Sequence, residues 1–235
     1  MRVSLNEIQT AIFKACIAVG LPVGISQDAS HTAGYVFPTY ISSMQPFADA
    51  IFEVDNNSSK PFNVPEALKG IFRSATTDTN LSCLYSAPTV CDQILVRNKN
   101  TKSRSSIKLI DLDVPAVVIF EIIFITSFIN NNVRITWKVD QNNKIHGVCS
   151  NGTLTFLHGN YNDFLLLRNT TLSLYVPNYI SSLKTLHSDN SDSLDNLNIE
   201  NNTWKCLSEY ADRLLVPSSD ISRMTGAGAG TIDTD

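Results

Sequence analysis

The stretch VRITWKVD, residues 133–140, alternates Val133, Ile135, Trp137 and Val139 with Arg134, Thr136 and Lys138. A period of two places the apolar side chains on one face and the polar ones on the other, which is the pattern of a half-buried antiparallel strand. Just downstream, IHGVCSNGTLTFLHG (145–159) reads as a hairpin, because Asn151-Gly152 supplies the positive φ of a two-residue turn. With that turn His146 stands opposite Leu157 and His158 opposite Ile145, so strict pairing sends the two imidazoles to opposite faces and a shared metal site would need a bulge. TTLSLYVP (170–177) ends the sheet and SSIKLIDLDVP (105–115) supplies another of its strands, with Ile107, Leu109 and Leu112 as its apolar positions. Upstream of both, LSCLYSAPTVCDQILVR (81–97) reads as one or two strands around Ala87-Pro88. VPAVVIFEIIFITSFI (114–129) reads as a buried strand or strand pair, with a core helix as the competing reading. Short turns between antiparallel neighbours make the expected sheet a meander.

Upstream the period changes to that of helices. Ser4 and Glu7 form a capping box, and Leu5, Ile8, Ile12, Ala15 and Val19 follow at helical spacing until Gly20 and Pro22. A second helix is expected from Ser26, with Asp28 in its first turn, to the break at Pro38. SMQPFADAIFEV (43–54) and VPEALKGIF (64–72) are expected as two more, separated by the turn-rich DNNSSKP. Near the other end, SDNSDSLDNLNIENN (188–202) reads as an exposed acidic loop, and TWKCLSEYADRLLVP (203–217) as an amphipathic helix with Thr203 as its N-cap. The expected fold is therefore α+β: an N-terminal helical lobe (1–78), a mainly antiparallel sheet (79–177), a polar loop (178–202), then a covering helix and a Gly/Ala-rich strip (203–235), all in a single domain.

Composition narrows the function classes. A hydrophobic content of 43% over 235 residues supplies a substantial core, while 17% charged residues and a net charge of -4 argue against a dedicated nucleic-acid binder. The basic run RNKNTKSRSSIK, with Arg97, Lys99, Lys102, Arg104 and Lys108, reads as a solvated hairpin loop, since no aromatic residue within it can stack on bases. The apolar run 114–129 is too short to span a bilayer and carries Glu121 at its centre, so no membrane span is expected. The start lacks the apolar core of an export signal. Five single cysteines, Cys16, Cys83, Cys91, Cys149 and Cys206, with no C-x-x-C, fit a reducing cytoplasm and suggest no zinc site.

Two segments carry a resemblance. SLNEIQTAIFKACIAVGLPVGISQDA (4–29) and VPSSDISRMTGAGAGTIDTD (216–235) resemble a bacterial domain family without an assigned function, whose members end in a proline-serine start, a Ser-Arg pair, a Gly-Ala-Gly-Ala-Gly run and an acidic terminus. SAPTVCD (86–92) echoes a small-residue turn of that family. The resemblance implies no reaction. The first helices are also similar to the entry helices of the NAD-dependent malate/lactate dehydrogenases unrelated to the Rossmann type. Ser30-His31-Thr32-Ala33 lacks the Asp and Gly that flank the histidine there, so that similarity goes no further than helix patterning.

The segment SRMTGAGAGTIDTD (222–235) is the first candidate site. TGAGAG lacks the G-x-G-x-x-G spacing and a following helix, and has no P-loop lysine, so it is no nucleotide cradle and no cofactor is expected. Side-chain-poor backbone can instead lie close against a ligand or the folded body, the alternative being a tail. Docked, it would place Thr225 and the amides of Gly226, Gly228 and Gly230 at a cleft, with Ser222 and Arg223 clamping a ligand carboxylate. The expected partner is a small carboxylate-bearing metabolite; the alternative is an accessory subunit whose strip docks into a partner protein, or a homo-oligomer. Second-rank candidates are Cys91 as a nucleophile on a turn with Asp92 beside it, and Glu121 as a general base with a raised pKa. His31 and His187 are lone residues with no ligand pattern around them.

Overall fold

Ser4 starts the first helix as its sequence predicts. Its hydroxyl accepts from the Glu7 amide while the Glu7 carboxylate accepts from the Ser4 amide at 2.7 Å, satisfying two donors that a helix start leaves open. The structure, a computed structural model, describes residues 1–39, 44–99, 105–129, 132–138, 144–158, 165–176 and 197–215. Among them are seven helices and eight strands. α1 (Leu5–Ala18) ends before Gly20, whose φ of 86° only glycine adopts freely. α2 (Val23–Val36) begins three residues earlier than the sequence suggests, after Pro22, and packs Ala29, Ala33 and Gly34 against α1. Gly34 is needed there, because a Cβ would overlap the Gln9 side chain. α3 (Met44–Asp55) follows, then β1 (Ser59–Lys60) and α4 (Val64–Ala67). The expected fourth helix is thus cut short, and Ile71–Phe72 form β2 instead.

β3 (Asn80–Leu81) leads into the first correction. Residues 83–99 are a helix, α5 (Cys83–Lys99), with Pro88 inside it, and are not strands. Its buried apolar residues, Cys83, Leu84, Ala87, Val90, Cys91 and Ile94, recur at helical spacing. The basic run therefore starts on this helix: Arg97 and Lys99 belong to α5 and Lys108 is exposed on β4 (Ser105–Leu112), while Lys102 and Arg104 lie outside the described residues. The second correction is α6 (Pro115–Thr126), where the competing helix reading holds. Proline at the first helical position is pre-organised for a helix, and a helix apolar all round is one buried all round. α6 packs against α2, α3 and α5 on one side and against strands β5 (Asn132–Lys138), β6 (Lys144–Ser150) and β7 (Thr153–His158) on the other. Tertiary burial there overrides the strand preference of its Val and Ile residues.

The sheet is mixed, in the order β1-β3-β4-β8-β5-β6-β7, with β2 also paired to β4. β5, β6 and β7 form the expected meander, but β8 (Thr170–Val176) lies between β4 and β5, antiparallel to both. The short strands β1, β2 and β3 run parallel to their neighbours, which the sequence reading missed because two-residue strands show no period. The β6–β7 turn has Asn151 at φ 47° and Gly152 at φ 74°, as the Asn-Gly signal requires. Its register carries a bulge between His146 and Gly147, so His146 pairs with His158 and not with Leu157.

α7 (Asn201–Asp212) returns to cover α1 and α3. It starts two residues before the expected Thr203 cap, with Glu200 at the N-cap. Thr203 is buried and donates to the Gln45 side chain. The approach to α7 is not the exposed loop expected of its polar composition. Leu197 and Ile199 are buried, and residues 197–199 pair with residues 1–3: Val3 N to Leu197 O at 3.0 Å, Ile199 N to Met1 O at 2.9 Å. The strip 216–235, with Ser222, Arg223, Thr225, Gly226, Gly228 and Gly230, lies outside the described residues.

Candidate functional site

Three mutually packed helices, α2, α5 and α6, bring the second-rank residues Cys91, Asp92 and Glu121 together. Glu121 has no polar helix face around it: every residue from Pro115 to Ile123 on its helix is buried, and Glu121 itself is 6% exposed. Its carboxylate accepts a hydrogen bond from the Thr32 hydroxyl, itself wholly buried on α2. Burial pushes the carboxyl up from 4.5 to about 7; the Thr32 bond opposes this, and the nearby charges of Asp28 and Asp92 add to it. Asp28 lies one helical turn before Thr32 and is half-buried, whereas Asp92 and His31 are exposed. Burial also raises Asp28, its imidazole neighbour His31 lowers it, and Asp92 raises it further.

The arrangement is a step from an acidic rim into the protein. At the surface stand Asp28, Asp92 and His31; inside stands a carboxyl that gains or loses its proton near neutrality. Such a group can exchange a proton with a ligand, or as a carboxylate hold a cation. The charges acting on Glu121 are those of Asp28 and Asp92, so a ligand carboxylate would be repelled there.

Cys91 takes a different part from the one its sequence suggests. It lies on the inner face of α5, not on a turn, and is 3% exposed. Burial, then Glu121 and Asp92, hold its thiol well above the usual range, so it is present as the thiol and not as the thiolate a nucleophile requires. Asp28 and Thr32 went unrecognised as site residues. Their i, i+4 spacing on one face of α2 was the available signal.

A second buried carboxyl lies at the end of β4. Asp113 accepts from the amides of Cys83 at 2.8 Å and Val114 at 2.6 Å, joining the first turn of α5 to the start of α6. Burial raises it to about 6, and those two amides oppose the rise. With no exposed surface it is a fastening between elements and not a ligand site. His146, on β6, has its Nδ1 3.0 Å from the Thr136 hydroxyl. Among the described residues, no group of three or more His, Cys, Asp or Glu is placed to hold a metal ion, and no helix is long and apolar enough to cross a membrane.

Compared with known proteins, the chain matches no family model, no curated protein and no solved structure.

Proposed function

We propose that the chain is a cytoplasmic metabolite-binding protein that takes a small ligand carrying an ammonium group at Glu121. One observation carries the reading. A carboxyl is buried on an otherwise apolar helix, receives one hydroxyl, and has two further carboxylates as its charged neighbours where a structural ion pair would supply a base. An ammonium donates up to three hydrogen bonds and neutralises the charge that burial makes costly. The five cysteines, all free, support a reducing compartment. The expected carboxylate partner rests on Ser222 and Arg223, outside the described residues. Primary amines are the first compounds to test, with α-amino acids beside them carrying the carboxylate that Asp28 and Asp92 would repel. The resemblance of segments 4–29 and 216–235 to a bacterial family of unassigned function stays part of this proposal.

The test is a thermal-shift series at pH 8 with ammonium compounds, amino acids and simple carboxylic acids. A ligand that binds only the folded chain at 100 times its Kd adds about 2.7 kcal/mol. Amines should raise Tm in the wild type and not in Glu121→Gln. An unaltered response in that variant would refute the assignment. An accessory role is favoured by a separate observation: Val64 on α4, Leu68 just after it and Ile71 on β2 are all exposed, Leu68 to 77%. Co-purification of one defined partner, lost in Leu68→Asp, would support that role.

A further inference from the structure

An aromatic strip continues from the acid cluster along the same two helices. α2 and α6 run side by side in the same direction, because Thr32 meets Glu121 and, three residues on in both, Tyr35 meets Phe124. The Tyr35 and Phe124 rings lie 5.2 Å apart at 55°, and Phe124 meets Phe128 edge-on at 5.1 Å and 90°. Tyr35 is 37% exposed and Phe128 72% exposed, so the strip reaches solvent. It is also braced from below: the Tyr35 hydroxyl lies against Gly152 in the β6–β7 turn, where a Cβ would overlap it.

From this geometry, and resting on the ammonium reading above, we infer that Tyr35, Phe124 and Phe128 select the ligand's apolar substituent, and that the ligand is an amine bearing an aryl or extended alkyl group. The rise of a helix sets the measure. Phe124 and Phe128 lie about 5 and 10 Å along the axis from Glu121, so a ring two carbons from the ammonium stands level with Phe124 and turns its far edge towards Phe128. Ring faces attract a cation and ring edges pack against another aromatic group, so each end of such a molecule meets matching chemistry. Phosphates and carboxylates would face Asp28 and Asp92 instead.

The experiment is calorimetric titration of the full chain at pH 8 with methylammonium and with phenethylamine. Phenethylamine should bind at least tenfold more tightly. Phe128→Ala, at an exposed position, should lose most of that ratio, and Phe128→Trp should restore it. Equal affinity for the two amines in the wild type, or an unchanged ratio in Phe128→Ala, overturns the assignment of the strip while leaving the ammonium site standing. If neither amine binds the wild type, the ammonium reading itself fails and this inference falls with it.

Discussion

Replacing Glu121 by Gln should stabilise the protein at pH 8 and do little at pH 4.5. The carboxyl has a pKa of about 7 folded against 4.5 as its ordinary value, so the folded state binds the proton more tightly. Stability associated with this group is therefore fully present below about 4.5 and is lost as pH climbs through 7. Each pH unit of that gap corresponds to about 1.4 kcal/mol, so the loss comes to about 3 kcal/mol. Glutamine stands for the protonated carboxyl and keeps an acceptor for the Thr32 hydroxyl, and the raised pKa already contains the pull of that bond on the charged form, so no further offset enters. The net expectation is about 3 kcal/mol in favour of Glu121→Gln at pH 8, or roughly 6–12 °C in Tm for a chain of this size. Urea unfolding of both proteins at intervals from pH 4.5 to 8 measures it. Asp113, raised to about 6, tilts both curves alike, so the difference between them isolates Glu121. A difference that is flat with pH, or a variant weaker than wild type at pH 8, would refute the reasoning.

Asp113→Ala should cost about 2–4 kcal/mol, since it leaves the buried amides of Cys83 and Val114 without an acceptor; denaturant unfolding reads this directly. Ser4→Ala should remove the α1 capping box and lower stability by about 1 kcal/mol, seen as a small drop in Tm. Gly152→Ala should cost at least about 1 kcal/mol, because a side chain at φ 74° is strained and its Cβ meets the Tyr35 hydroxyl; the near-ultraviolet tyrosine signal should change with it. Iodoacetamide on the native protein should label Cys206 first, the other four thiols being buried, and peptide mass mapping gives the order.

The α+β class was legible because the strongest periodic signals, Ser4 to Val19 and Val133 to Lys138, agree with their surroundings. The failures share a cause. In 114–129, β-branched residues argue for a strand, but burial on all sides erases the periodicity that would have distinguished a helix, and the Val114-Pro115 start was the cue that remained. In 83–99, Ala87-Pro88 drew attention to a turn although Cys83, Leu84, Ala87, Val90, Cys91 and Ile94 already kept a helical beat. At the site, Glu121 stood out as a charge in an apolar run. Its partners Thr32 and Asp28 lie some 90 residues upstream, and only the packing of α2 on α6 brings them near.

The ladder that joins residues 1–3 to residues 197–199 bears on how the protein is made. The apolar flank of α1 that α7 shields leaves the ribosome first, and its cover follows roughly 10–40 s later at about 5–20 residues per second. During that interval α2 can pair with α1 and hide one flank, while the other stays bare. The flank of α1 is thus closed only once residues 197–212 have been made, and any product cut off before Leu197 would leave it bare.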